Sequence, residues 1–172
     1  RSVGGKKRMG QTGKSGTVIR VGKGELLYAD GAVNDMTSTA GQIKHKGIGG
    51  AGAPDTAYAE DIIILNGKGT ETFQPHFTFH GFRYVEVTGY PGNLQKKNIK
   101  GCALYSNVPD AGSFSCSDTL INQIQKISLN TFRSNLFSVQ SDCPHRERFG
   151  YGGDIVATCE AFIDNFNIAV FY

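Results

Sequence analysis

The chain has no tryptophan, only two methionines and five prolines in 172 residues, and no apolar run that approaches the roughly 18 residues of a membrane span. No positively charged start leads into a short apolar stretch, so nothing reads as a signal peptide. Its four cysteines (Cys102, Cys116, Cys143 and Cys159) are too widely spaced for a Cys-x-x-Cys zinc pattern, and no histidine pair completes one. The expectation for them is burial as small apolar side chains. No charge of one sign dominates: 18 basic against 15 acidic residues leave a net charge of +3. The lysines and arginines gather at Lys6, Lys7, Arg8 and Lys14 and again at Lys96, Lys97 and Lys100, without a continuous stripe or interleaved aromatics, which argues against a nucleic-acid partner. A membrane partner is likewise not expected.

What is present is enough for a folded core: 39% hydrophobic residues with 19% charged. Up to Gly24 the chain is rich in Gly, Lys, Ser and Thr, with one short alternating run at Thr17–Val21. Gly13-Lys14-Ser15 imitates the end of a phosphate-binding loop. The opening glycine of that motif would fall at position 8, which is Arg8, so a basic turn is the expectation.

From Gly24 to Val108 short strands are expected at Glu25–Tyr28, Asp61–Leu65, Phe73–Phe79, Phe82–Thr88 and Ile99–Val108, separated by Gly, Pro and Asn clusters. That is an all-β sandwich or jelly-roll pattern, and an antiparallel β-sandwich is the expectation. Phe77, Phe79 and Phe82 alternate with polar neighbours and so predict an aromatic strand face. His76 and His80 would share the other face, where hydrogen bonding is a better reading than metal ligation because no third ligand accompanies them.

Near Pro109 the period changes. Ser115-Cys116-Ser117-Asp118 forms a plausible cap, and Leu120, Ile121, Ile124, Ile127, Phe132 and Leu136 follow at helical spacing to about Asn135. A second helical stripe, Ile155, Cys159, Phe162, Ile163, Phe166 and Val170, begins after Asp154, which stands where an N-cap is expected.

Between these helices lies the densest chemistry in the chain: Asp142-Cys143-Pro144-His145-Arg146-Glu147-Arg148-Phe149-Gly150-Tyr151-Gly152-Gly153-Asp154. Carboxylates, arginines, a histidine and aromatic rings in one loop suit glycoside cleavage, which needs an acid for the leaving oxygen, groups that grip hydroxyls and an apolar face for the sugar. A cluster of ion pairs holding two helices together uses the same residue types.

This loop closely resembles the signature of the α-L-rhamnosidases of glycoside hydrolase family seventy-eight. In most members it reads Asp-Cys-Pro-Gln-Arg, one or two acidic residues, then Arg-Leu-Gly-Trp-Thr-Gly-Asp. Phe77-Thr78-Phe79-His80-Gly81-Phe82-Arg83-Tyr84-Val85 resembles the end of the β-sandwich that precedes the catalytic domain in that family. The resemblance covers most of the chain from about Glu25 onward. It implies an α+β fragment: a β-sandwich over residues 1–108, then the first helices of an (α/α)6 barrel over 109–172, cut short.

It also implies inverting hydrolysis of terminal α-L-rhamnosides, with rhamnose-containing glycosides or polysaccharides as partners and with neither cofactor nor metal. Carried over by position, Glu147 matches the general acid, Asp142 and Asp154 match carboxylates that hold sugar hydroxyls, and Arg146 matches a sugar-binding arginine. Tyr151 stands where the family usually has Trp, giving a smaller ring face with a hydroxyl. The family's general base lies on a later barrel helix. Glu160 and Asp164 follow too soon on the same helix to replace it, and the chain starts at Arg1 and stops at Tyr172 within an expected helix. The chain therefore reads as a piece of a larger enzyme, missing the C-terminal part of its own barrel and inactive alone. The competing expectation is a carbohydrate-binding or structural β-sandwich without catalysis. For compartment, secreted or periplasmic placement is favoured over cytoplasmic.

Overall fold

The computed structural model describes the backbone of residues 3–39, 51, 56 and 58–172, with side chains from residue 12 onward. The basic cluster Lys6, Lys7 and Arg8 lies outside the described side chains. The chain divides into two compact units, residues 1–104 with 145–147, and residues 105–144 with 148–172.

The first unit is a β-sandwich of two antiparallel sheets. In one sheet β1 (Val3–Thr12) is flanked by β6 (Thr70–Phe73), β7 (His80–Phe82) and β9 (Ile99–Ala103). In the other, β2 (Val18–Gly24) runs between β5 (Glu60–Ile64) and β8 (Tyr84–Thr88). A small ribbon joins β3 (Leu26–Leu27) to β4 (Val33–Asn34). The alternation of β2 sends Ile19 and Val21 inward, where they meet Ile63 and Leu65 in a buried cluster flanked by Phe73, Val85, Val87, Tyr90 and Ile99. Phe73 and Ile99 come from the β1 sheet, so the two sheets share this core.

Two expectations fail here. The Gly- and Lys-rich start contains a ten-residue strand, the centre of its sheet, where only a short run near Thr17 was expected. Gly and Lys have low strand propensity, so β1 owes its conformation to backbone pairing on both sides. The Gly13-Lys14-Ser15 segment is the turn after it, closed by a Thr17 N–H to Lys14 carbonyl bond of 3.2 Å. Residues 74–79 are irregular, so Phe77 and Phe79 define no strand face and Phe77 is fully exposed. Pro75 supplies the reason, since it removes a ladder donor directly after β6. His76 accordingly lies off the strands, and only His80 sits in a ladder.

The same alternation points Lys23 inward. Its side chain is 1% exposed; Nζ donates to Asp61 Oδ2 at 2.6 Å and to the Val21 carbonyl at 3.1 Å. His80 Nε2 lies 3.4 Å from Asp61 Oδ1. Burial favours the neutral acid at Asp61, but hydrogen bonds from His80 and Lys23 outweigh it and hold the carboxyl at about 2. Burial also lowers the Lys23 pKa, against the support of Asp61.

The second unit is helical. In α1 (Thr119–Ser134) the Asp118 carboxylate caps the first turn, accepting from the Leu120 N–H at 2.7 Å and the Ile121 N–H at 3.3 Å. A tight hairpin follows, β10 (Leu136–Phe137) and β11 (Val139–Gln140), turning at Ser138 with φ 65°. The last helix, α2 (Gly152–Asn165), starts with Tyr151 as N-cap, not Asp154, which lies in the first turn instead. A carboxylate there meets the positive end of the helix dipole without giving a side-chain cap.

The helix also stops short of Val170. Phe166 turns to extended backbone and bridges Asp110, while Asn167 N–H donates to the Pro109 carbonyl at 2.8 Å, so pairing with the incoming segment ends it. Leu136, Phe162, Phe166 and Ile168 form the buried core of this unit, with Phe132 stacked 4.5 Å from Phe162. None of the four cysteines is fully buried and none forms a disulfide; Cys116 is exposed in the segment leading into α1. There its N–H donates to Asn122 Oδ1, so its position is set by backbone bonding and not by packing.

Candidate active-site loop

The loop between the hairpin and α2 is shaped by local hydrogen bonds. Asp142 N–H donates to the Phe149 carbonyl at 2.9 Å, and Phe149 N–H donates to Asp142 Oδ1 at 2.9 Å. This reciprocal clasp ties off the residues between them, and one carboxylate oxygen of Asp142 serves it. Arg148, just before the clasp closes, has φ 59°, a left-handed conformation uncommon for a side chain of this size. Such a position marks a loop held by its surroundings and often by function.

Beyond the clasp the Phe149 and Tyr151 rings meet edge to face, centroids 5.9 Å apart at 66°. Both are substantially exposed, so they present an aromatic surface next to the start of α2. Asp154 is exposed in that first turn, while its backbone carbonyl accepts from Thr158 Oγ1 at 2.6 Å.

The loop's entry is anchored by a residue that sequence reasoning missed. Gln140 is only 4% exposed; its Nε2 donates to Thr158 Oγ1 at 2.6 Å, and its Oε1 accepts from the Tyr172 hydroxyl. One amide thus fixes the hairpin to α2 and to residue 172. The sequence signal for it is slight, a polar residue two positions before Asp142.

The predicted site residues divide between the two units. Asp142, Tyr151 and Asp154 belong to the second, and Arg146 and Glu147 to the first. Arg146 Nε donates to the Thr37 carbonyl at 3.1 Å, so its side chain is already directed by the sandwich residues around the turn Asp35–Ser38. Glu147 is half-buried. Among the described residues no group of three or more His, Cys, Asp or Glu side chains is arranged to hold a metal ion.

Comparison with known proteins assigns each half of the chain. Residues 1–105 match the model of the bacterial α-L-rhamnosidase concanavalin-like domain, and residues 109–172 that of the bacterial α-L-rhamnosidase six-hairpin glycosidase domain. This pair of domains defines a class, glycosidases in which a β-sandwich precedes a helical six-hairpin domain. Within that class, the chain belongs to the bacterial α-L-rhamnosidase family.

An α-L-rhamnosidase of Formosa agariphila is 34% identical over 159 residues, which are 92% of this chain and 16% of that protein. One from Streptomyces avermitilis is 34% identical over 88% of this chain and 13% of its own length. Among solved structures, the α-L-rhamnosidase of Dictyoglumus thermophilum superposes with a TM-score of 0.82 at 34% identity, covering 100% of this chain and 18% of that one. The Streptomyces avermitilis α-L-rhamnosidase complexed with L-rhamnose also gives 0.82, at 31% identity, covering 99% and 15%. The chain therefore spans less than a fifth of the relatives it matches.

Proposed function

We propose that this chain carries the acid loop of an inverting α-L-rhamnosidase, acting on rhamnose-containing glycosides or polysaccharides. Glu147 protonates the glycosidic oxygen as the bond to the anomeric carbon breaks. A second carboxylate, some 6.5 to 9.5 Å away in enzymes of this type, draws a proton from the water that attacks the opposite face. That base is assigned to the remainder of the six-hairpin domain, because Glu160 and Asp164 share α2 and its first-turn neighbour Asp154 is assigned to binding.

In this reading the free oxygen of Asp142, together with Asp154 and Arg146, grips the hydroxyls of rhamnose. Tyr151, edged against Phe149, offers the apolar face against which the ring rests. The observation that carries the proposal is the Asp142–Phe149 clasp, which ties off the stretch of chain that contains Arg146 and Glu147, with Tyr151 and Asp154 following at the start of α2. A module that merely binds sugar has no need of an acid, so the substitution Glu147→Gln separates the readings. In the complete six-hairpin enzyme it is expected to lower kcat by about 10²-fold or more with KM little changed. Unchanged turnover contradicts the assignment.

A further inference from the structure

The sandwich has a second feature that the catalytic reading does not use. On the solvent face of the β5-β2-β8 sheet, register places Gly22 directly opposite Glu60 on one neighbouring strand and Glu86 on the other. Strands lie about 4.8 Å apart, so the two glutamate positions flank the glycine at a separation of about 10 Å. A side chain at position 22 would stand between them, and a Cβ built there meets nothing within 4 Å. The missing side chain leaves a notch, which continues into a cavity of about 270 Å³.

The chemistry of the walls narrows the occupant. Arg20, two residues back on the same face, ion-pairs with Glu60 at 2.9 Å, while Glu86 forms no ion pair with any described residue. Asp35, Val33 and the half-exposed ring of Tyr58 complete the lining. The half-exposed Arg20 guanidinium neutralises Glu60, the carboxylates are not arranged as a metal-ligand group among the described residues, and their number disfavours a phosphate or an acidic glycan. A neutral polyol suits both: carboxylates accept from hydroxyl pairs, the guanidinium donates to a hydroxyl or ring oxygen, and the tyrosine and valine meet the apolar ring edge.

We propose that this notch is a non-catalytic binding site for a neutral pyranose unit, built on the sandwich and independent of the acid loop. It would hold a neighbouring sugar of the glycan or a second chain of it, and the proposal does not depend on Glu147 being an acid.

The test is an amide-shift NMR titration of the 172-residue chain with methyl α-L-rhamnopyranoside. Saturable shifts at Gly22, Glu60 and Glu86 are expected. Gly22→Leu, which fills the notch in open space at a strand position, should weaken them at least tenfold with the melting temperature retained. Should that variant unfold, Glu86→Gln removes one acceptor without adding volume and is expected to weaken binding several-fold. Glu147→Gln should leave the affinity at these amides unchanged, which separates this site from the acid loop. Shifts confined to residues 142–154, an affinity indifferent to both notch variants, or a response of these amides to calcium chloride and not to the glycoside would each overturn the proposal.

Discussion

Asp142 and Phe149 hold each other through two hydrogen bonds, backbone to backbone and backbone amide to carboxylate, each 2.9 Å long. The carboxylate of the motif's first residue is therefore a loop fastener before it is anything else. Replacing it by alanine removes one of the two bonds. The expected cost is about 1 to 2 kcal/mol of loop stability. Hydrogen exchange should show the Phe149 amide losing protection in Asp142→Ala and keeping most of it in Asp142→Asn, where an acceptor oxygen remains. Equal protection in all three proteins would show that the clasp does not hold the loop.

The sandwich should weaken in acid through an identifiable carboxylate. Asp61 titrates at about 2 in the folded chain against an ordinary value of 3.8. The folded value is the lower one, so its contribution is complete above about pH 4 and disappears as the pH falls towards 2. By linkage this is worth about 2 kcal/mol. Urea midpoints followed between pH 5 and pH 2 should fall less steeply in Asp61→Asn than in the unsubstituted chain.

Lys23 is the less comfortable partner of that pair. Its burial disfavours the ammonium, and Asp61, a backbone carbonyl and the nearby charge of Glu60 compensate in part. Lys23→Met alone strands the Asp61 charge with His80 and is expected to cost about 3 kcal/mol. Combined with Asp61→Asn, the loss should be smaller than the sum of the two single changes, as a double-mutant cycle by chemical denaturation would record.

Two glycines with positive φ should respond differently to alanine. Gly89 has φ +71° and a Cβ there would lie 2.2 Å from the Val18 carbonyl oxygen, whereas Gly16 has φ +82° with nothing within 4 Å. Gly16→Ala meets only the left-handed backbone penalty, about 1 kcal/mol. Gly89→Ala adds a backbone collision and should cost more than about 2 kcal/mol, read as a clearly lower melting temperature.

The sequence disclosed the order of the two layers because their periods differ: alternation in Thr17–Val21 and Asp61–Leu65, then the helical spacing of Leu120, Ile121 and Ile124. The acid loop was legible as a motif because its residues are contiguous. β1 was not legible, since its pairing partners lie roughly 60 to 100 residues away and its Gly and Lys residues carry no strand pattern of their own. The cap of α2 was misplaced at Asp154 because carboxylates are good caps; the chain instead enters the helix one turn earlier through Gly152 and Gly153. Lys23 was overlooked although it sits two positions past Val21 on the inward face, because its side-chain partner Asp61 comes from another strand. Gln140 was missed for the same reason, as Thr158 and Tyr172 are distant in sequence.

The central assignment is Glu147 as the acid, and leaving-group dependence tests it most directly. A nitrophenolate departs with little help from a proton, whereas an alkoxide needs one. In the complete six-hairpin enzyme, Glu147→Gln should therefore reduce hydrolysis of an alkyl α-L-rhamnoside far more than that of p-nitrophenyl α-L-rhamnoside. A gap of about 10²-fold or more between the two losses is the expected result. Equal losses on both substrates would mean that Glu147 binds or positions the sugar and that the proton comes from elsewhere.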